Sequence, residues 1–243
     1  MADVELKDVA VTLGDPPRRI IDTVSLRCLS GTITLVVGAN GSGKSVLLRT
    51  ILSLVQPSAG SVFFDGADVR RKPRILHAVT GVCFQNPDLQ IFGDTVAEDV
   101  ALALTTGTPN AEEDTAGHCD KLVAEFGLEG HEGDAPWTLS GGQRRRLALA
   151  GALAGPPKVL ILDEPFLELD YPSVRRLVAT LRAFRDSGGT VILASHETRD
   201  IWHLVDQAVV MYEGRALYTG PPEGAQPFVV PDYGLRPIAA EDA

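Results

Sequence analysis

Two stretches near the start of the chain alternate apolar and polar residues, as strands with one buried face do. VELKDVAVTL covers residues 4–13 and IIDTVSLRCL covers residues 20–29, and Gly14-Asp15-Pro16-Pro17 lies between them. Glycine and proline favour a turn in such a connection. The pattern therefore predicts two antiparallel strands joined by a turn.

The following part of the chain alternates short apolar runs with longer stretches of helical periodicity. Strands are predicted over residues 32–37, 61–64, 79–84, 159–162 and 190–194. Helices are predicted over residues 44–54, 96–104, 111–127, 143–154 and 173–186. Strands that alternate with helices after an N-terminal β region indicate an α/β fold with a mainly parallel sheet.

The last part of the chain is rich in proline and shows little periodicity. Proline interrupts both helices and central strands, so this composition favours an irregular path. We expect one domain over residues 1–220, followed by an irregular tail over residues 221–243 rather than by a second domain.

Charge and composition exclude several classes of protein. The formal net charge of −10 argues against a chain that holds nucleic acid through a basic face, so no nucleic-acid partner is expected. No apolar run approaches the roughly 18 residues of a membrane span, and the first ten residues lack the apolar core of a signal peptide. Cys28, Cys83 and Cys119 are scattered without metal-type spacing, which indicates a reducing cytosol.

The strongest chemical signal is a glycine-rich loop that directly follows the apolar run 32–37. It reads Gly38-Ala39-Asn40-Gly41-Ser42-Gly43-Lys44-Ser45 and matches the pattern G-x-x-x-x-G-K-[ST]. Glycines let successive backbone N–H groups face inward as an anion-binding nest, and the following helix adds the positive end of its dipole. Lys44 is expected to reach the β- and γ-phosphates, and the Ser45 hydroxyl to bind Mg²⁺. The loop therefore predicts a nucleoside triphosphate site.

A partner for that magnesium ion follows a second apolar run. Residues 159–162 lead directly into Asp163 and Glu164, at the carboxyl end of a predicted strand, where open α/β sheets bind their ligands. Asp163 is expected to hold Mg²⁺, and Glu164 to polarise the attacking water.

A further glycine pair precedes the predicted helix 143–154. The segment Leu139-Ser140-Gly141-Gly142-Gln143 places a serine and two glycine amides where a helix begins, which predicts a second anion-binding helix start. Because one chain already supplies one phosphate loop, this second feature predicts a site that is shared between two subunits.

Together, the motifs GANGSGKS, VLILDE and LSGGQ resemble the ATP-binding subunit of ABC transporters. The resemblance covers roughly residues 1–220. It implies an ABC-type nucleotide-binding domain of the P-loop NTPase class, with a helical subdomain at roughly residues 86–155. It also implies a dimer in which ATP and Mg²⁺ are held between the two subunits.

The resemblance assigns roles to three more residues. Gln85 matches the glutamine that senses both Mg²⁺ and the lytic water, so we count it as a catalytic and a metal residue. Asp170 matches the aspartate of the loop after the strand, in the nucleotide-binding set. His196 matches the switch histidine that contacts the γ-phosphate. The arginines at 144–146 are expected on a solvated helix face or an interface.

Residues 81–100 narrow the resemblance within the family. FQNPDLQIF, followed by TVAEDV, is similar to the energy-coupling factor (ECF) subgroup of cobalt- and biotin-type importers. The resemblance implies that two ATPases, identical or paralogous, grip helices of one transmembrane coupling protein at the cytoplasmic face of the membrane. A separate small membrane protein captures the vitamin or metal ion.

The same stretch predicts the surface that docks this membrane partner. A helix laid in a groove needs apolar anchors, and acids beside them would orient arginines of the partner. The residues with these properties are Leu89, Ile91, Phe92, Asp94, Glu98 and Asp99. An ordinary solvated helix start is the alternative explanation for the three acids.

Two departures from the family pattern leave alternatives open. Leu13 occupies the position of the aromatic that stacks on adenine, and Leu167 and Glu168 replace small residues at the dimer interface. A slowly hydrolysing regulatory subunit and the ATPase of another ABC transporter class therefore stay open. An ABC ATPase of DNA repair would need long coiled-coil or zinc inserts, but residues 86–138 contain neither heptads nor paired cysteines.

Overall fold

The computed structural model describes residues 2–71, 73–107, 115–196 and 198–235. The strands are β1 (Val4–Leu13), β2 (Arg18–Cys28), β3 (Ile33–Val37), β4 (Ala59–Phe64), β5 (Ala67–Asp68), β6 (Thr80–Cys83), β7 (Val159–Asp163), β8 (Thr190–Ser195), β9 (Gln207–Tyr212) and β10 (Arg215–Gly220). The helices are α1 (Lys44–Ile51), α2 (Pro73–Ala78), α3 (Val96–Gly107), α4 (Thr115–Glu125), α5 (Gly141–Ala154), α6 (Tyr171–Asp186) and α7 (Pro222–Ala225).

The alternating stretches at the start of the chain form an antiparallel sheet with the strand order β2-β1-β4-β5. β1 pairs with β2 from Val4 opposite Cys28 to Leu13 opposite Arg18. Apolar side chains of β1, such as Val4 and Leu6, are buried, while polar neighbours are more exposed. The predicted antiparallel β region is confirmed.

A six-stranded sheet with the order β10-β9-β3-β8-β7-β6 forms the centre of the protein. All its neighbouring strands are parallel except β10, which runs antiparallel to β9. β3, β7 and β8 are buried along their whole length, which explains their nearly continuous apolar sequences. Because these three strands are parallel neighbours, their carboxyl ends lie at the same edge of the sheet.

Apolar side chains on the two faces of this sheet belong to different clusters. Ile33, Leu35 and Val37 of β3 pack with residues of α3, α4, α5 and α6 in one cluster. Val36 of the same strand packs on the other face, with residues of α1 and of the antiparallel sheet. This alternation places α1 and the loop before it between the two sheets.

Several elements differ from the sequence-based expectations. The sequence reasoning missed β5, β9, β10 and α2. The tail expected to be irregular forms α7 and two further short turns, and it buries Ala225, Val229 and Leu235 against the core. The prolines at 221, 222, 227 and 231 lie at the starts of these turns, where they are compatible with helix, so a high proline content did not mean an unpacked segment. Residues 111–114 of a predicted helix and residues 236–243 of the tail lie outside the described residues.

No helix of the described residues is both long and apolar enough to cross a membrane. Cys28, Cys83 and Cys119 are buried and form no disulfides.

Candidate nucleotide site

The glycine-rich loop joins β3 to α1 in a conformation that few other residues allow. Gly43 immediately precedes α1 with φ 104°, in the left-handed region that favours glycine. A Cβ on Gly38 would collide with the carbonyl oxygen of Met211 on β9. The loop backbone is therefore held tightly against β9, and α1 begins at Lys44 directly beside the edge of the sheet.

Lys44 is a buried cation surrounded by oxygen atoms. Its Nζ donates to the carbonyl oxygens of Gly38 at 2.7 Å and Ala39 at 3.3 Å, and it lies 3.7 Å from Oε1 of Glu164. Burial lowers the pKa of Lys44, and the charges of Glu164 and Asp163 oppose this shift. A buried ammonium held by weak carbonyl acceptors and one carboxylate is suited to an exchange of partners when phosphates arrive.

Asp163 ends β7 with an unsatisfied acceptor. The residue is 5% exposed, and its Oδ1 is buried without a hydrogen-bond partner. Burial raises the pKa of this carboxyl, and the Ser45 side chain and the Lys44 charge oppose the rise. Asp163 and Ser45 also line one small cavity. An orphaned carboxylate oxygen beside a hydroxyl is a donor set of hard oxygen ligands, which fits Mg²⁺.

Glu164 connects the loop lysine to the end of β8. Its backbone N–H donates to the Ala194 carbonyl oxygen at 2.8 Å, and its φ is 50°. Its Oε2 accepts from His196 Nδ1 at 2.9 Å and from the His196 backbone N–H at 3.3 Å. The carboxylate is therefore held between the Lys44 ammonium and the imidazole, and the His196 side chain is still 42% exposed.

The structure thus brings Lys44, Ser45, Asp163, Glu164 and His196 together, as expected from the common edge of β3, β7 and β8. Gln85 follows β6 at the same edge, but its side chain is exposed. Among the hydrogen bonds and ion pairs of the described residues, none joins the Gln85 side chain to this group.

The Gln85 backbone, in contrast, is fixed by an arginine that sequence reasoning assigned incorrectly. Arg145 of α5 is 1% exposed and donates to the carbonyl oxygens of Phe84 at 2.8 Å and Gln85 at 2.5 Å. The expectation of a solvated face is wrong for Arg145, whereas Arg144 and Arg146 are half-exposed, and an interface at residues 144–146 stays a prediction. Arg144 donates to Leu139 O and Arg146 to Gly127 O, so these side chains anchor α5 within the chain.

Ser140 and Gln143 form a capping box at the start of α5. Ser140 Oγ accepts from the Gln143 N–H at 3.3 Å, and the Gln143 side chain accepts from the Ser140 N–H at 2.8 Å. Gln143 Nε2 also donates to His131 Nε2 at 2.9 Å. No hydrogen bond or ion pair among the described residues joins Ser140 or Gln143 to the glycine-rich loop of the same chain.

Asp170 caps the next helix. It precedes α6, and its side chain accepts from the Ser173 N–H at 3.0 Å. Hydrogen bonds from the Ser173 side chain and backbone lower the pKa of this exposed carboxyl. Within one chain, Asp170 therefore has a structural role at a helix start.

A family model described as ABC transporter matches residues 21–167. This range contains the glycine-rich loop, the LSGGQ segment and the Asp163-Glu164 pair.

Individual proteins agree with this match. The chain is 37% identical over 210 residues to the energy-coupling factor transporter ATP-binding protein EcfA2 of Symbiobacterium thermophilum, covering 84% of this chain and 72% of that protein. The structure of cbiO1 from Clostridium perfringens, described as part of the ABC transporter complex cbiONQ, has 30% identity and a TM-score of 0.76 over 91% of this chain and 89% of its own. The ATP-binding cassette MJ0796, a dimer in a post-hydrolysis state with ADP and Pi, has 25% identity and a TM-score of 0.83 over 90% of this chain and 98% of its own. The chain therefore belongs to the ABC transporter family, as one of its ATP-hydrolysing subunits.

Proposed function

We propose that this subunit powers an ECF-type importer for a vitamin or a transition-metal ion, and that it works as a dimer with ATP between the subunits. The observation that carries the proposal is the group of buried Lys44, Asp163 and Glu164 with the partly exposed His196 at one edge of the sheet, where each residue has the chemistry of its expected role. The ECF names of EcfA2 and the cbiONQ description of cbiO1 support the transporter type.

Residues of the glycine-rich loop, 38–45, bind the triphosphate. Their backbone N–H groups and the start of α1 hold the phosphate oxygens, and Lys44 leaves Gly38 and Ala39 to contact the β- and γ-phosphates. Because Glu164 lies 3.7 Å from Lys44 in the free chain, this change also releases Glu164 from its ion pair.

Glu164 orients and polarises the attacking water, and His196 positions Glu164 and contacts the γ-phosphate. The 2.9 Å hydrogen bond from His196 fixes one carboxylate oxygen, which leaves Oε1 on the side of the phosphate loop to accept from the water. Gln85 contributes from the exposed end of β6, through a loop whose backbone Arg145 holds to α5.

Mg²⁺ would be held by Ser45 and Asp163, with Gln85 as a third residue near it. When bound, the ion neutralises the phosphate charge that develops during hydrolysis. The buried Asp163 Oδ1 without a hydrogen-bond partner supports this assignment.

The second half of the site comes from the partner subunit. Ser140, Gly141, Gly142 and Gln143 start α5, whose N-terminus attracts anions, and no described contact ties Ser140 or Gln143 to the phosphate loop of their own chain. We assign them to the γ-phosphate of ATP that is bound by the other subunit. Asp170, in the exposed loop before α6, belongs to the same interface.

We assign residues 1–220 to the ATPase domain, with the helical subdomain at roughly 86–155, and place the subunit at the cytoplasmic face of the membrane. It is attached there through a transmembrane coupling protein and a small substrate-capture protein. The docking surface is the exposed apolar group Leu89, Phe92 and Leu102, beside a cavity of about 480 Å³ between β6, α3 and α5. Phe92 is 79% exposed, which is unusual for a phenylalanine and suits an anchor for a helix.

Two residues of the predicted docking surface are less exposed than its other members. Asp99 is 6% exposed, and its Oδ1 accepts from the N–H groups of Phe92 and Gly93 at 2.7 and 3.0 Å. Asp99 thus holds the Phe92 turn in place and cannot meet a partner's arginine. Ile91 is partly buried against the core. Asp94 and Glu98 are exposed and stay in the proposed surface.

Docking is tested by two substitutions that spare the nucleotide site. Phe92→Ser removes the exposed anchor and Glu98→Arg reverses a charge, so both should abolish copurification of the tagged chain with membrane proteins identified by mass spectrometry. Leu54→Ser is the matched control, because Leu54 is 54% exposed elsewhere on the protein. ATP binding by the isolated variants should be unchanged. Full recovery of the same membrane proteins with Phe92→Ser and Glu98→Arg would reject this docking surface.

Base recognition should be weak in this subunit. Leu13 ends β1, is 39% exposed, and offers an apolar contact without a π system. We expect similar affinities for ATP and GTP, and tighter ATP binding by Leu13→Tyr, because base–aromatic stacking contributes roughly 1–3 kcal/mol. Calorimetric titration of both nucleotides measures this, with Leu54→Tyr as control. A strong adenine preference that is unaffected by residue 13 would contradict the prediction.

A further inference from the structure

A carboxylate lies against the helix start that we assign to the partner-bound nucleotide. Glu168 is in the loop between β7 and α6, and a Cβ placed on Gly141 would collide with its Oε2 and lie 3.1 Å from its Cδ. The Glu168 carbonyl oxygen is similarly close to Gly142, 2.8 Å from a Cβ placed there. The side chain and the backbone of this one residue therefore both contact the first turn of α5.

The backbone holds Glu168 in an uncommon conformation. Its φ is 64°, in the left-handed region that favours glycine over a residue with a long side chain. The loop around it is short and fixed at both ends, by Glu164 N–H on Ala194 O and by Asp170 at the cap of α6. The path of the loop therefore places the Glu168 backbone beside the start of α5, within reach of Gly141 for its side chain.

α5 already has a side-chain cap other than this carboxylate. Ser140 already accepts from the Gln143 N–H, and Gln143 returns a hydrogen bond to Ser140. Glu168 adds a negative charge at the positive end of a helix dipole, which is favourable as long as no other anion is present. The γ-phosphate of a partner-bound ATP would have to approach this same helix end.

We propose that the Glu168 carboxylate opposes ATP-driven dimerisation of the subunit, a role that we call the brake. The inference rests on the proposed function, in which Gly141 and Gly142 of one subunit receive the γ-phosphate held by the other. The Glu168 carboxylate occupies the anion-attracting end of α5 in the free subunit and repels the incoming phosphate. The closed dimer then forms only at higher ATP or protein concentration, or with the help of the membrane partner.

Replacing Glu168 by glutamine removes the charge but keeps the size of the side chain, and it therefore tests the brake. In a Glu164→Gln background, which we expect to retain bound ATP, Glu168→Gln should tighten Mg-ATP-dependent dimerisation by about tenfold or more, since a unit charge beside a phosphate is removed. Analytical ultracentrifugation measures the dimer dissociation constant. The difference should shrink as ionic strength rises, because salt screens charges near the surface. The ATP affinity of the monomer should not change.

Two further variants separate charge from backbone strain. Asp65→Asn removes another exposed carboxylate from a left-handed residue, with φ 46°, and should leave dimerisation unchanged. Glu168→Gly removes both the charge and the strain, and should tighten the dimer at least as much as Glu168→Gln. A tighter dimer with Gly but not with Gln would overturn the role of the charge.

The results also distinguish a failure of the proposed brake from a failure of the proposed shared ATP site, on which the brake rests. If the Glu164→Gln dimer forms with ATP but does not respond to Glu168→Gln, only the brake is rejected. If Glu164→Gln shows no ATP-dependent dimer even together with its membrane partner, the shared site itself is rejected, and the brake is rejected with it.

Discussion

Replacing Glu164 by glutamine should slow ATP hydrolysis by roughly 10²–10⁴-fold while ATP binding is retained. The amide keeps the size of the side chain and can still contact His196, but it cannot polarise the attacking water as a carboxylate does. It also removes a negative charge from beside the γ-phosphate. ATP should therefore stay bound between two subunits, and size-exclusion chromatography with Mg-ATP should show a dimer.

Phosphate release measures the rate of ATP hydrolysis, and nucleotide titration measures ATP binding. Glu5→Gln is the control, because it changes a carboxylate on β1 of the antiparallel sheet that pairs with Lys7 outside the site. His196→Ala should also slow hydrolysis, since it releases the Glu164 oxygen that the imidazole holds at 2.9 Å. Hydrolysis by Glu164→Gln at the wild-type rate would remove Glu164 from the catalytic role.

Sequence reasoning predicted residues that lie together in the structure because each of them is next to the end of a strand. Gly38, Asp163 and His196 come directly after or at the end of β3, β7 and β8, and three buried apolar runs are enough to predict parallel strands whose ends meet. The position of Lys44 at the start of α1 follows from the glycine pattern. The hydrogen bond between Glu164 and His196 depends on the pairing of β7 with β8, which local patterns do not specify.

The incorrect predictions concern side chains whose partners are distant in sequence. Arg145 looks like one of three surface arginines on a helix, but it donates to carbonyl oxygens 60 and 61 residues away in the chain. Asp99 looks like an acid on an exposed helix start, but it turns back to cap the Phe92 loop. Charge favours exposure only on average, and hydrogen bonds with backbone groups, donated by Arg145 and accepted by Asp99, outweigh that preference inside the protein.

In the tail after residue 220, the sequence pattern also fails to predict the backbone structure. Its proline content predicts an irregular path, yet Ala225, Val229 and Leu235 are buried. Gly234 approaches Ala39 so closely that a Cβ on Gly234 would lie 2.7 Å from the Ala39 Cβ. Few residues of the tail make this contact with the glycine-rich loop, and they form no periodic pattern in the sequence. The contact is therefore seen only in the folded structure.

Replacing Lys44 by methionine should weaken ATP binding by roughly 10²-fold or more, because the phosphates lose a buried charged hydrogen-bond donor. Nucleotide titration measures the loss, and Lys158→Met, an exposed lysine before β7, is the control.

The chain itself should remain folded without the Lys44 charge. Burial lowers the pKa of Lys44 despite two neighbouring carboxylates, so the charged form is costly in the free protein, and methionine removes this cost while its side chain fills similar space. His196 still contacts Glu164 after the substitution. Thermal unfolding of Lys44→Met should therefore be cooperative and close to that of the wild type. Weak ATP binding by a folded variant assigns the loss to the phosphates, whereas unchanged binding would show that the glycine-rich loop holds the triphosphate without this side chain.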